Sequence, residues 1–340
     1  MNLNRRSLLL GAAALGGFPS HQRQIRGMTL GGCAGQTTGQ ATSTGPAMTV
    51  GLTYIPNIQF SPFYVAESEG LFKDAGLTLS LRHHGTQEGL FTALTAGDEQ
   101  VVFASSDEAV VAAAGGMSGL RTFATCYQRY PGVVLGSAAV TDLAGLAGHT
   151  LGVQGRYGSG WFTTKAALDR AGLDESQVQI TEIGWTQVAA LTAGKADAVV
   201  GFSNNEAIQL ATSGFSYQQF EVVDAAAPDL VGPGLITLQD AVPAEQLNSV
   251  TNAILEAENR ILQDPALALK ATENYVPTLA DEAQRKQAEA VLEATTKFWT
   301  AGDGKVSIKA DQENFTRMGE FLTRTKIIEA APAAMILNVD

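Results

Sequence analysis

Residues 93–109 read ALTAGDEQVVFASSDEA, and residues 190–207 read ALTAGKADAVVGFSNNEA. Each copy ends a helix in Ala-Leu-Thr-Ala-Gly, where the glycine serves as a stop. An apolar run follows with the composition of a buried strand, and a polar loop then opens the next helix. Two such copies in one chain argue for two related lobes rather than a many-unit array.

The pattern extends outward from both copies. Before the first, MTVGLTYI (48–55) reads as a strand, SPFYVAESEG (61–70) as a helix closed by Gly70, and LTLSLRHH (77–84) as a second strand. After it come the helix SDEAVVAAAGG and the strand LRTFATCYQ. The second copy is flanked by the strand HTLGVQG (149–155), the helix SGWFTTKAALDRAG with Gly172 at its end, and the strand VQITEIG. This alternation predicts α/β architecture. Beyond LVGPGLITL (230–238) it stops, and three segments with apolar residues at i, i+3 and i+4 predict amphipathic helices packed on the first lobe. The chain then crosses between lobes twice, near 135–142 and 224–235, as a two-strand hinge. The expected division is 1–47 as leader and tether, 48–138 with 234–340 as lobe one, and 139–233 as lobe two.

The 340 residues carry a net charge of −12, and the only charged residues in 1–47 are four arginines, so the remainder carries −16. A body of that sign repels phosphate backbones, which argues against a nucleic-acid partner. NRRSLLLGAAALGGF (4–18) predicts a secretory signal in which Arg5-Arg6 resembles the twin-arginine type. Leu30-Gly31-Gly32-Cys33 resembles a lipobox, with Cys33 as the acylated residue, although PSHQRQIRGMT stands between it and the apolar run. The polar stretch 35–47 is a flexible tether. The expected location is outside the cytoplasm, at the cell surface or in the periplasm, held by a lipid anchor. Cys126, the one cysteine of the mature body, reads as a packed thiol.

In open parallel sheets, ligands bind where strands exit into helices. Those exits here are 54–60, 105–108, 127–130, 154–161, 184–185 and 202–206, rich in rings, amides and hydroxyls and poor in charge. Rings stack on a planar ligand while amides read its donors and acceptors. The candidates are Tyr54, Asn57, Gln59, Phe60, Ser105, Ser106, Asp107, Tyr127, Tyr157, Ser159, Trp161, Trp185, Asn204, Asn205 and Glu206. Ser105-Ser106-Asp107 and Asn204-Asn205-Glu206 serve equally as helix caps, whereas Phe63 and Tyr64 read as core. Catalytic signatures are missing: no GxSxG, phosphate-loop or HExxH pattern occurs. His83-His84, adjacent on a strand, point to opposite faces and do not chelate one metal easily. No cofactor is expected.

PNIQFSPFYVAESEGLFKDAGL (56–77), the two ALTAG modules and DLAGLAGHTLGV (142–153) resemble the binding proteins of ABC importers that carry aliphatic sulfonates, thiamine pyrimidine precursors and riboflavin. IPNIQFSPFYVA, ASSDE and YQRYP look most like riboflavin-binding members. The resemblance implies a type II periplasmic-binding-protein fold whose lobes close on a flat heteroaromatic ligand and deliver it to a membrane permease. It implies contacts from Asn57, Phe60, Ser106, Asp107, Tyr127, Tyr157, Trp161, Trp185 and Asn205. A sulfonate or nitrate ligand is the alternative, with Arg129 or Arg156 as the cation. A pyrimidine-synthase-like enzyme on the same fold is a further one, though the cysteine-rich segment of that enzyme is missing.

Overall fold

The computed structural model describes residues 47–85 and 88–339, so the leader, Cys33 and the tether lie outside the described residues. The first half of the chain folds as β1 (Ala47–Leu52), α1 (Ser61–Ser68), α2 (Leu71–Asp74), β2 (Thr78–His83), α3 (Thr92–Ala96), β3 (Val101–Ser105), α4 (Ser106–Ala114) and β4 (Leu120–Thr125). The middle adds β5 (Gly132–Gly136), β6 (Thr150–Val153), α5 (Gly158–Ala171), β7 (Gln179–Glu182), α6 (Gln187–Thr192), β8 (Ala198–Phe202), α7 (Glu206–Thr212) and β9 (Gln218–Glu221). After β10 (Pro233–Leu238) come α8 (Ala244–Gln263), α9 (Ala266–Glu273), α10 (Glu282–Thr296) and α11 (Gln312–Arg324).

Two five-stranded sheets result, ordered β2-β1-β3-β10-β4 and β7-β6-β8-β5-β9. In each, the strand of the ALTAG module takes the third place, β3 in one and β8 in the other. The helix before it stops at Gly97 (φ 84°) or just before Gly194 (φ 65°). Left-handed backbone there turns the chain back into the sheet, and only glycine adopts it without strain.

The crossings sit where antiparallel strands enter each sheet. β10 returns from the second sheet and runs between β3 and β4. β5 leaves the first sheet and runs between β8 and β9. The expected crossing near 135–142 is therefore corrected: Gly132–Gly136 is already a strand of the second sheet, and the outward crossing falls at 126–131. The run GVVLG pairs on both edges and is buried along its whole length, which an interlobe connector would not be.

One large core joins β1, β3 and α1 to α8, α9 and α10, through residues such as Phe63, Tyr64, Ile254, Leu269 and Leu292. The last helix departs from expectation. Phe315, Met318, Phe321 and Leu322 of α11 join the core that holds Val134, Leu151, Val153 and Phe162 of the second half, lying beside Val110 of α4. The segment after α11 then returns to β4, where the backbone of Thr122 bonds Met335 and Leu337. Amphipathic spacing shows that a helix has an apolar face but not which face of which lobe receives it.

Cys126 is buried, and burial pushes its thiol well above the ordinary value. Close behind it, Glu258 of α8 is buried, and among the described residues neither of its carboxyl oxygens finds a hydrogen-bond partner. Burial holds its pKa well above 4.5. The folded chain therefore keeps a proton that the unfolded chain releases, so this group's contribution is complete below pH 4.5 and declines as pH rises toward the folded value. Glu258→Met should stabilise the fold by about 1–3 kcal/mol at pH 8 and by less at pH 5. Thermal melts of both proteins across that range check it, and a difference that does not grow with pH contradicts it.

Candidate functional site

The loop after β1 is the first wall of the site. Asn57 accepts the Gln59 N–H at 3.1 Å and starts a short turn, which swings Phe60 inward; Pro62 then begins α1. Phe60 meets Phe103 and His83 edge-on, at ring distances of 5.8 and 5.3 Å. The His83 ring fixes the loop from below. Its Nδ1 lies 3.0 Å from the Tyr54 carbonyl, which can only accept, so Nδ1 carries the hydrogen and Nε2 accepts from the Tyr64 hydroxyl at 2.8 Å. Burial lowers the His83 pKa, which keeps this neutral form.

Facing this loop is the second half of the chain. Trp185, on the turn before α6, brings its ring to 5.8 Å from Tyr54, tilted by 42°. Tyr157 is 60% and Trp185 51% exposed, the two most exposed large aromatic side chains among the described residues. Between the walls lies a cleft of about 420 Å3, within the roughly 300–1,000 Å3 typical of small-molecule sites.

Tyr54, Gln59, Phe60, Ser105 and Tyr127 line the cleft from one side. Tyr157, Ser159, Trp185, Asn204, Asn205 and Glu206 line it from the other. Four candidates stand elsewhere. Asn57 spends its side chain on the turn and borders a second cavity beside α7 and α10. Ser106 is buried in the first turn of α4, with its N–H on the Gly232 carbonyl. Asp107 is buried behind the lining. Trp161 lies under the Arg156 guanidinium at 4.7 Å, partly packed on the second core. The helical periodicity of α5 explains that last correction: Ser159 faces the cleft, so Trp161 two positions on is turned away.

Several lining residues escaped sequence reasoning. Phe103 lies inside β3 and looked like ordinary core, Phe202 at the end of β8 and Gln154 fell within strand exits without being singled out, and Thr53 and Glu88 carried no pattern of their own. Glu108 stood in the exit 105–108 but was not singled out as a contact. No Arg, Lys or His is found among the described residues that line the cleft. Arg129 borders a different, small cavity, and Arg156 pairs with Glu175 at 2.6 Å. Of the three lining carboxyls, Glu88 is matched by Arg82 at 2.6 Å. Glu206 is held by the Phe202 N–H at 2.8 Å and the Asn205 amide at 3.1 Å, with its pKa raised by burial.

A hydrogen-bonded hub joins the two walls. Asp107 of α4 accepts from the Ser159 hydroxyl at 2.9 Å and the Tyr130 hydroxyl at 3.0 Å, and the Tyr130 hydroxyl also lies 3.1 Å from Thr163. Beside it, Glu108 accepts the Ser159 backbone N–H at 3.2 Å. Burial pushes both carboxyls up, Asp107 to about 6 and Glu108 to about 8, against the pull of these donors.

Known proteins share the fold. The NMT1/THI5-like family matches residues 57–268, more than half of the chain. The riboflavin-binding protein RibY of Chloroflexus aurantiacus is 29% identical over 313 residues, covering 87% of each chain. The periplasmic aliphatic sulphonate binding protein SsuA of Escherichia coli superposes with a TM-score of 0.66 at 15% identity, over 84% of this chain and 89% of that one. The desulfurization enzyme DSZB does so with a TM-score of 0.56 at 14% identity, over 84% and 94%. Likeness at such identities speaks for the fold, one on which both a binder and an enzyme are built. With the two-sheet topology, the interlobe cleft and the match across 57–268 taken together, the chain belongs to the NMT1/THI5-like family and has the type II periplasmic-binding-protein fold.

Proposed function

We propose that this chain is an extracytoplasmic solute-binding protein of an ABC importer. It captures a flat, uncharged heteroaromatic compound of the flavin type between its lobes and hands it to a membrane permease. The observation that carries this reading is the pair of rings, Tyr54 and Trp185, that face one another across the cleft. A planar ligand that parts these rings from 5.8 Å to about 7 Å, two stacking distances of about 3.5 Å, gains stacking on both faces, at roughly 0.5–1.5 kcal/mol per pair beyond area burial. The amides of Gln59 and Gln154 line the same space and supply donors and acceptors for ring edges. The 29% identical relative named as riboflavin-binding supports the ligand class.

Export and attachment through Cys33 belong to this proposal on sequence grounds. So does the absence of turnover, supported by the burial of Cys126, the only cysteine among the described residues.

A second ligand class, an aminopyrimidine of the thiamine-precursor type, is favoured by one observation. Glu108 and Glu206 line the cleft without a basic partner, and carboxyls accept from exocyclic amino groups. The absorbance spectrum of freshly purified protein separates the two. A visible flavin band that leaves with the ligand on unfolding and dialysis is the expected result. Colourless protein that riboflavin does not stabilise in a thermal-shift series, and an aminopyrimidine does, overturns the flavin assignment.

A further inference from the structure

Glu108 belongs to α4 on one wall, yet its carboxyl reaches the first turn of α5 on the other. α5 has 14 residues, and the side chain of Tyr157 before it makes no cap. Free N–H groups and the dipole at such a helix end attract a negatively charged ligand. Here that seat is taken. Oε1 of Glu108 accepts the Ser159 N–H, and Gly158 makes the approach feasible: its φ is +65°, and a Cβ built there would lie 2.5 Å from that oxygen. Asp107, buried beside it, holds the Ser159 hydroxyl. The described cleft lining supplies no cation that would offset either carboxyl.

We propose that Glu108 is the charge filter of the cleft: by occupying the N-terminus of α5 with the protein's own carboxyl, it excludes ligands that carry a sulfonate or phosphate and restricts binding to neutral or cationic heterocycles. The proposal rests on the solute-binding reading above, but not on which heterocycle is bound. Charged or neutral, the carboxyl keeps an oxygen lone pair on the Ser159 N–H, and Asp107 is buried just behind it. A filter of this kind discriminates by an unfavourable contact with the wrong ligand, not by a better one with the right ligand.

The test compares wild type, Glu108→Ala and Glu108→Gln. Each is titrated with riboflavin and riboflavin 5′-phosphate, and each is melted with sulfate or methanesulfonate alone. Wild type should bind the phosphorylated flavin about a hundredfold more weakly than the neutral one, since the phosphate loses hydration while the Ser159 N–H that would replace it is already taken. Glu108→Ala frees the N–H and should narrow that ratio about tenfold while gaining stabilisation by sulfate. Glu108→Gln keeps an oxygen on the N–H and should stay near wild type. Equal affinity of wild type for the two flavins overturns the filter, as does a folded alanine variant with an unchanged ratio. If neither flavin binds wild type, the flavin reading fails and the sulfate arm decides alone: a gain in Glu108→Ala supports the filter, no gain overturns it. Should the alanine variant not fold, wild type decides: stabilisation by sulfate or methanesulfonate overturns the filter, and indifference to both supports it.

Discussion

Asp107→Ala lowers the stability of the fold by about 2–4 kcal/mol, the largest effect expected of any single change in the site. The carboxylate accepts from Ser159 of α5 and from Tyr130 in the outward crossing, besides the N–H of its own neighbour Glu108. Truncation takes the acceptor from the Ser159 hydroxyl and the Glu108 N–H, each at a cost on the order of 1–3 kcal/mol, while the Tyr130 hydroxyl keeps the Ser159 carbonyl and Thr163 within reach. The loss of a buried charge returns part of that, which keeps the net figure below the sum. Asp107→Asn retains one acceptor oxygen and should cost less. It also separates the charge from the shape. The folded pKa of about 6 stands above the ordinary 3.8, so the native state holds a proton that the unfolded chain gives up between those values. The contribution of Asp107 is thus complete below pH 3.8 and declines as pH rises through 6. An asparagine has no such decline, so the deficit of Asp107→Asn relative to wild type should shrink from pH 4 to pH 8. Denaturant melts at several pH values read both effects; a deficit that widens with pH means that the charged form is the one the fold favours.

Trp185→Ala should weaken ligand binding about ten- to a hundredfold with little change in the melting temperature. The ring is half exposed before a ligand arrives, so little of the fold depends on it. A stacked ligand would cover roughly 100 Å2 of it, which at about 25 cal/mol per Å2 contributes about 2.5 kcal/mol. Part is offset by ordering the side chain, and each 1.4 kcal/mol that remains is about tenfold in affinity. Trp161→Ala is the matched control. That ring carries the Arg156 guanidinium and packs on the second core, so its loss should reduce stability and leave affinity within about twofold. Calorimetric titration of the two variants with the ligand recovered from wild type decides the matter. The reverse pattern, with Trp161 controlling affinity, would place the ligand elsewhere.

The two-sheet architecture was readable before any coordinates because it rests on local chemistry. A glycine that ends a helix, a β-branched run and a polar helix start act over a few residues, and their duplication at 93–109 and 190–207 carries the pseudo-symmetry directly. The ring-bearing loops could be found for the same reason, as strand exits have recognisable neighbours. Which side of a helix faces the cleft is a matter of one or two residues of phase. Ser159 and Trp161 were both candidates in the string, with Trp161 the one the resemblance implied, and the docking of α5 against β5 and β8 separates them. Phe103 hid in the opposite way, since a phenylalanine inside a strand that lines a cleft reads like one in the core.

The sequence by itself determined the alternation of strands and helices, the duplication into two halves, the acidity of the body and the aromatic strand exits. The alternation and the exits are written within windows shorter than 20 residues, the duplication in two such windows set side by side, and the acidity in composition alone. Tertiary structure alone decided that Gly132–Gly136 joins the second sheet, that α11 crosses to the second core and that Glu108 reaches across to α5. Each of these is a pairing between segments far apart in the chain. The partner in such a pairing is chosen by which buried surface and which unmet N–H remain once the local elements have formed, and no short window of residues contains that information.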